Sequence, residues 1–130
     1  HQRVAKTWTH GRIMLAGDAA HLNNPLGGLG MNSGIHDVWN LTDKLQAIYR
    51  DGADAGLELG RYERQRQTVC REFVQAQTMR NKAAMEDKSP DAQAKHQARL
   101  EGIAADPVQR RAYLLTQSMY HSRERESEIA

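Results

Sequence analysis

The sequence predicts a mostly α-helical chain with one or two short β-strands at its N-terminus, a piece of a larger α/β architecture. Three observations carry that expectation. The run Arg12-Ile13-Met14-Leu15-Ala16 is compact and apolar, flanked by Gly11 and Gly17, as a buried and commonly parallel strand would be. From position 35 onward, hydrophobic residues recur at spacings of three and four. Apolar residues make up only 39% of the chain and mean hydropathy is −0.76, against roughly 45–50% apolar in an ordinary domain. So sparse a supply predicts faces completed by polypeptide outside these 130 residues, or by a second chain.

Taken in order, Arg3 to Trp8 leads to a turn at His10-Gly11, and residues 3–16 read as a short hairpin or two strand ends. The strand is expected to end near Ala16, where a glycine-rich loop begins. Ile35, Val38, Leu41, Leu45 and Ile48 then mark one face of a helix of about four turns, with Gly52 placed as its C-cap. A longer helix follows from about Ala55, with Leu59, Tyr62, Arg66, Val69, Phe73, Ala76 and Met79 on one stripe. Ser89-Pro90-Asp91 sets N-cap, first helical residue and first-turn acid in order, opening an exposed helix to about Leu100. Asp106-Pro107 repeats that start signal for a last helix lined by Val108, Ala112, Leu115 and Met119. The charged tail Ser122 to Glu128 is expected to fray.

Composition excludes several function classes. Eighteen basic residues nearly balance 16 acidic ones for a net charge of +2, with no contiguous Lys/Arg block to grip nucleic acid. No stretch approaches the ~18 apolar residues of a membrane span. The start, His1-Gln2-Arg3-Val4, has no apolar run behind it and no initiator Met, so the expectation is a cytoplasmic chain beginning inside a longer polypeptide. The single cysteine, Cys70, is expected to pack as a small hydrophobe. His10, His21 and His36 fit no compact metal spacing, so no metal site is expected.

The informative stretch is GDAAHLNNPLGGLGMNSG, residues 17–34, which places five glycines, a proline and three asparagines directly before a helix. Free N–H groups at a helix start carry partial positive charge and can face electron-rich ligand atoms. Gly28, Gly30 and Gly34 let a flat ligand lie against backbone with no Cβ between. Asp18 stands at the strand's C-terminal edge, where α/β proteins place a carboxylate that grips hydroxyls. Phosphate-loop motifs do not fit. Ser33 occupies the last glycine's slot of G-x-G-x-x-G, and no Lys-Ser/Thr follows as in a Walker loop. On residue types alone, ligand cradle and structural loop stand level.

The segment GRIMLAGDAAHLNNPLGGLGMNSGIHDVWNLTDKL, Gly11 to Leu45, resembles the second FAD-binding motif of the single-component flavoprotein monooxygenases that hydroxylate aromatic rings. That group includes para-hydroxybenzoate hydroxylase, the phenol hydroxylases and the polyketide hydroxylases. The pattern G-R-x-x-L-x-G-D-A-A-H, a Pro, then G-x-G-x-N-x-G-x-x-D-x-x-N-L-x-x-K-L is filled at nearly every fixed position, through Asp37, Asn40, Leu41, Lys44 and Leu45. Tyr62 to Arg66, YERQR, is similar to the start of the next family helix, with Gln65 a departure. The likeness is strong over Gly11–Leu45, weak to about residue 70 and absent beyond.

The resemblance implies a fragment of an α/β FAD-binding (glutathione-reductase-like) fold. Residues 1–52 would form its strand–glycine-rich loop–helix segment and 53–130 a helical C-terminal region. It implies FAD as cofactor, NAD(P)H as co-substrate, and a small aromatic substrate with O₂. The family's positions match Gly17 and Asp18 for a ribityl hydroxyl of FAD, Pro25 beside the flavin ring, and Gly28 and Gly30 for close approach. The backbone N–H groups of Met31 and Asn32 would face the N1/O2 edge of the isoalloxazine. No side chain is expected to act as catalytic acid or base, because the oxidising power is the cofactor's. The family's N-terminal G-x-G-x-x-G and mid-chain Asp-Gly motif are absent here, Asp51-Gly52 sitting at a helix end. One wall of a flavin site is thus expected, completed by an N-terminal part or by a homo-oligomer. The competing reading is a cofactor-free helical binding or assembly module derived from that fold.

Outside the loop, His21 is expected to pack or hydrogen-bond beneath it, and Asp37 and Asn40 to brace it. Trp8 and Trp39 are expected in the core, and the arginine-rich stretch Arg61–Arg80 on a solvated face.

Overall fold

The computed structural model describes residues 2–130. Its N-terminal strands are short. β1 (Arg3–Val4) pairs antiparallel with β4 (His21–Leu22), and β2 (Thr9–His10) pairs antiparallel with β3 (Ile13–Met14). The expected turn at His10-Gly11 is present, with Gly11 at φ +58°. Backbone bonds extend both ladders, Ala5 N–H to the Ala20 carbonyl and Leu15 N–H to that of Trp8, each 2.8 Å. The hairpin reading of residues 3–16 holds for Thr9–His10 and Ile13–Met14, whereas the buried, parallel reading of the Arg12–Ala16 run does not: it pairs antiparallel and Ile13 is 65% exposed. The short turn at Gly11 commits this strand to its immediate neighbour, and nothing covers its outer side.

A 3₁₀ turn, Gly17–Ala19, leads through β4 and the glycine-rich loop into α1 (Leu29–Asp51). Then come α2 (Ala55–Val69), a π-helical turn (Cys70–Gln75) and α3 (Ala76–Glu86), which run on as one long rod. α4 (Pro90–Ala105), α5 (Pro107–Gln117) and α6 (Tyr120–Glu128) follow. The local start and stop signals hold. Gly52 caps α1 in the left-handed conformation, and Asp54, Ser89 and Asp106 each accept backbone N–H bonds at the starts of α2, α4 and α5. No helix among the described residues is long and apolar enough to cross a membrane.

The core is small. Trp8, Ala20, Tyr62 and Cys70 form one cluster, with Val4, Ala5, Leu15 and Leu41 against it. Leu29, Val74 and Met119 form a second. Cys70 packs as expected. Trp39 does not: it is 66% exposed.

The helix faces are distributed otherwise than apolar periodicity predicts. α1 buries Leu29, Ser33, Asp37 and Asn40, while Ile35 and Val38 face outward. Along the long rod Tyr62, Arg66, Cys70, Val74 and Thr78 are buried at every fourth residue, with Gln65 and Val69 buried beside them. On a 3.6-residue helix such a row drifts by about 40° per step. The π turn adds one residue and takes up the drift, so Val74 and Thr78 replace the expected Ala76 and Met79 on the inner face.

The inner face is held by charge. Arg66, expected on a solvated face, is fully buried, its Nε 2.7 Å from Asp37 Oδ1 on α1. Its guanidinium also pairs with Glu126 of α6 and donates to the Ser33 carbonyl at 3.4 Å. The tail does not fray because Arg66 needs that second carboxylate. Gln65 Nε2 secures it further through the Ile129 carbonyl at 2.8 Å. Its entry is Met119, at φ +61°, a conformation that L side chains seldom adopt.

Replacing Arg66 by Met keeps the volume and strands Asp37 without its counter-charge. Removing one partner of a buried pair costs about 3–5 kcal/mol. Urea denaturation is expected to show a loss of that order, and a change below about 1 kcal/mol would contradict the account.

Burial, and next the Asp37 carboxylate, push the Cys70 thiol from its ordinary 9.0 up to about 12. Between those values the unfolded chain has released a proton that the folded chain keeps. This contribution is present below about pH 9 and lost as pH rises towards 12. Stability is expected to fall through that window, and a Cys70→Ala variant to show a shallower fall in the same denaturation series.

Candidate functional site

The loop between β4 and α1 is fastened before it reaches the helix. Asn24 Oδ1 accepts the Leu26 N–H at 3.0 Å, a side-chain turn, and Pro25 lends its carbonyl to the Gly28 N–H at 3.2 Å. From α3, Asn81 Nδ2 reaches the Leu26 carbonyl, while Asn24 Nδ2 reaches that of Thr78, both at 3.3 Å. Gly28, at φ +65°, turns the chain into α1.

Beneath the loop lies the polar centre. His21 Nε2 is 2.7 Å from Asp37 Oδ2, with both side chains fully buried. The His21 ring stacks on Trp8 at 5.5 Å between centroids, and its Nδ1 is 2.9 Å from Asn23 Nδ2. With the Asn23 amide donating, His21 carries its proton on Nε2 and donates it to Asp37. The same Asp37 oxygen accepts the Gly17 N–H at 3.0 Å. His21 and Asp37 therefore brace the loop as the sequence suggests. Arg66 completes the brace, and it was hidden in the helical stripe. An arginine inside an apolar stripe requires a buried acid, which was the available signal.

Gly17, at φ +58°, lies against Gly34 of α1 so closely that a Cβ on Gly34 would stand 3.2 Å from the Gly17 Cα. The next residue, Asp18, is exposed and makes no side-chain hydrogen bond among the described residues. It stands on the rim of a cavity of about 690 Å³. Gly17, Gly30, Met31 and Gly34 line this groove, and it continues along Ile35, Val38 and Trp39. The apolar helix face marked by Ile35 and Val38 in the sequence is thus the groove's long wall. Pro25, Gly28 and Asn32 lie outside its lining, exposed at the loop side of the helix start. Asn32 Nδ2 donates to the Gly28 carbonyl at 3.1 Å.

Two features mark the helix start as a ligand cradle. α2, α4 and α5 carry side-chain caps, whereas α1 has neither a cap side chain nor a first-turn acid. Its leading N–H groups keep their partial positive charge. Gly30 has helical backbone and nothing within 4 Å of where a Cβ would project. Neither conformation nor packing requires glycine there, and the residue costs helix stability. A flat group resting on the backbone does require it. The residues present fit such a group.

On the far side of Trp39, His36 faces a cavity of about 250 Å³ with Arg123 and Glu126. Burial, then the charges of Arg66 and Arg123, hold the His36 pKa below its ordinary value. Among the described residues, no group of three or more His, Cys, Asp or Glu is placed to hold a metal ion.

Carboxylate rim, glycine floor and uncapped helix start would suit a flat, electron-rich ligand bearing hydroxyls. Residues 1–77 match the FAD binding domain family, and the chain belongs to it. FAD is its cofactor. The chain is 35% identical over 115 residues to para-nitrophenol 4-monooxygenase of Pseudomonas sp. (strain WBC-3), covering 88% of this chain and 28% of that protein. It is 40% identical over 97 residues to a 3-(3-hydroxy-phenyl)propionate/3-hydroxycinnamic acid hydroxylase of Mycolicibacterium smegmatis, covering 68% and 17%. The crystal structure of p-nitrophenol 4-monooxygenase PnpA from Pseudomonas putida DLL-E4 superposes with a TM-score of 0.81 at 34% identity, over 91% of this chain and 31% of that one. The chain spans under a third of the length of these relatives. Similarity runs well past residue 70, where the sequence motifs ended.

Glycine at positions 30 and 34 serves different ends, so alanine should separate them. Gly30→Ala is expected to raise the stability of the cofactor-free chain by up to about 1 kcal/mol. Gly34→Ala presses on the Gly17 backbone, and overpacking of about 1–3 kcal/mol outweighs the same helix gain. Thermal melts of the two variants should move in opposite directions.

Proposed function

We propose that this chain is the flavin-facing segment of an FAD-dependent monooxygenase that hydroxylates an aromatic or similar ring with NAD(P)H and O₂. The observation that carries the reading is the groove itself, where Asp18, the unrequired glycine at 30 and the uncapped start of α1 converge. The names of the relatives supply the reaction class. Bound FAD would supply the redox chemistry, taking two electrons from NAD(P)H and delivering one oxygen atom to the ring and the other to water.

The residues have separate tasks. Asp18 accepts hydrogen bonds from ribityl hydroxyls, as an ionised carboxylate can at both oxygens. Gly17 and Gly30 leave the backbone bare for close approach, and Gly28 sets the angle at which α1 begins. The N–H groups of Met31 and Asn32 point the positive end of the helix at the ring edge that gains negative charge on reduction, which favours the reduced state. Pro25 presents a rigid apolar surface beside the ring. Residues 1–52 form this wall, and 53–130 brace it from behind. The exposed row Ile35, Val38 and Trp39 is covered in the assembled protein, either by more of the FAD-binding domain or by a second copy.

FAD titration of the full-length chain, followed by flavin absorbance, tests this reading. Asp18→Ala should weaken binding roughly ten- to a hundredfold, the value of a hydrogen bond to a charged group. A titration curve unchanged by the substitution removes Asp18 from the site. A purified chain that takes up no flavin favours the cofactor-free module.

A further inference from the structure

We infer that Glu126, on the last helix, helps to position Asp18 for the cofactor through a buried relay of Arg66, Asp37 and Gly17. The inference rests on the flavin reading above and adds residues that touch no part of the groove's floor.

The relay can be followed atom by atom. Glu126 pairs with the Arg66 guanidinium, and the Arg66 Nε donates to Asp37 Oδ1 at 2.7 Å. The other Asp37 oxygen accepts the Gly17 N–H at 3.0 Å and faces His21 Nε2 at 2.7 Å. Gly17 directly precedes Asp18. Its left-handed φ and its contact with Gly34 leave the peptide a single seat, and the bond to Asp37 fixes its rotation. Asp18 itself has no side-chain bond to hold it, so its aim is inherited from Gly17. A carboxylate placed by its supporting shell loses ligand affinity when that shell shifts, even with its own chemistry intact.

Arg66 is the shared term. One guanidinium serves two carboxylates from different helices, Asp37 on α1 and Glu126 on α6, with Ser33's carbonyl as a third acceptor. The planar fork of arginine suits that bridging in a way that lysine, with its point charge, does not. Neutralising Glu126 lets the guanidinium settle towards Asp37, and the Gly17 N–H loses its fixed acceptor geometry. By linkage, cofactor held at Asp18 should in turn favour the docked α6.

A double-mutant cycle on FAD affinity tests the relay in the full-length chain. Glu126→Gln should weaken FAD binding about three- to tenfold when Asp18 is present, and should have no further effect in the Asp18→Ala background. A merely structural role would lower the melting temperature in both backgrounds and weaken FAD equally in both. Equal weakening, or none beside Asp18, overturns the inference. If Asp18→Ala alone leaves FAD affinity unchanged, the flavin reading fails first and the relay with it. Should Glu126→Gln not fold, Arg66→Lys keeps the charge and removes the fork, and the same non-additive pattern is expected of it.

Discussion

The buried pair of Asp37 and Arg66 is the constraint on which the rest of this structure depends. Two charges with no solvent exposure are tolerable only when each is fully partnered, because desolvation costs several kcal/mol per ion. Asp37 has three donors, in Arg66, His21 and the Gly17 N–H. Arg66 has two carboxylates and a carbonyl. Satisfying these groups fixes α2 on α1, draws α6 onto both, and seats the turn before the glycine-rich loop. The apolar clusters around Trp8 and Leu29 fill space beside this centre and are too small to set the arrangement alone.

A consequence is that α1 is turned inside out relative to an ordinary surface helix. Ser33, Asp37 and Asn40 point inward, while Ile35, Val38 and Trp39 point into the groove. Burying the polar stripe is sustainable because its one charge, Asp37, is fully partnered and the Asn40 amide donates to Gln65 at 2.9 Å, while the Ser33 hydroxyl and Asn40 Oδ1 stay without a partner among the described residues. Exposing the apolar stripe makes physical sense in a segment that belongs to a larger domain. The same helix thus serves as a strut on one side and as the wall of the groove on the other.

Legibility in the sequence followed the range of the interactions. Caps and stops at Gly52, Asp54, Ser89 and Asp106 are local, decided within a turn of chain, and could be placed from residue types. Gly17, Asp18, Gly30 and Met31, which the structure places on the groove, stood out as members of a glycine-rich run before a helix. The rule that apolar side chains point inward misplaced Trp39, while periodicity put Arg66 on the inner stripe against the rule that charge stays in solvent. Here a carboxylate 29 residues away in sequence overrode that rule for Arg66. The ordering of the tail depended on a partner 60 residues distant, beyond any local signal. The shifted face after Val69 arose from the π turn, whose extra residue leaves no mark in composition.

That turn also sets which lengths of chain this architecture accepts. Cys70–Gln75 keeps Thr78 and Asn81 in phase with the loop they hold, from a rod that begins at Ala55. Deleting one residue within the wide turn would close it to plain α-helix and leave α3 in phase, whereas a deletion elsewhere in the rod would swing α3 by about 100° about its axis, carrying both anchors off the loop. Outside that turn, the segment between Tyr62 and Asn81 is therefore closed to single-residue insertion and deletion in any descendant that retains the loop. α4, which buries no residue, and α5, which buries none either, carry no such phase requirement. Indels among homologous chains should accumulate from residue 87 to 117 and, within the rod, be confined to the wide turn, a bias in where lineages diverge that originates in the phase of one helix.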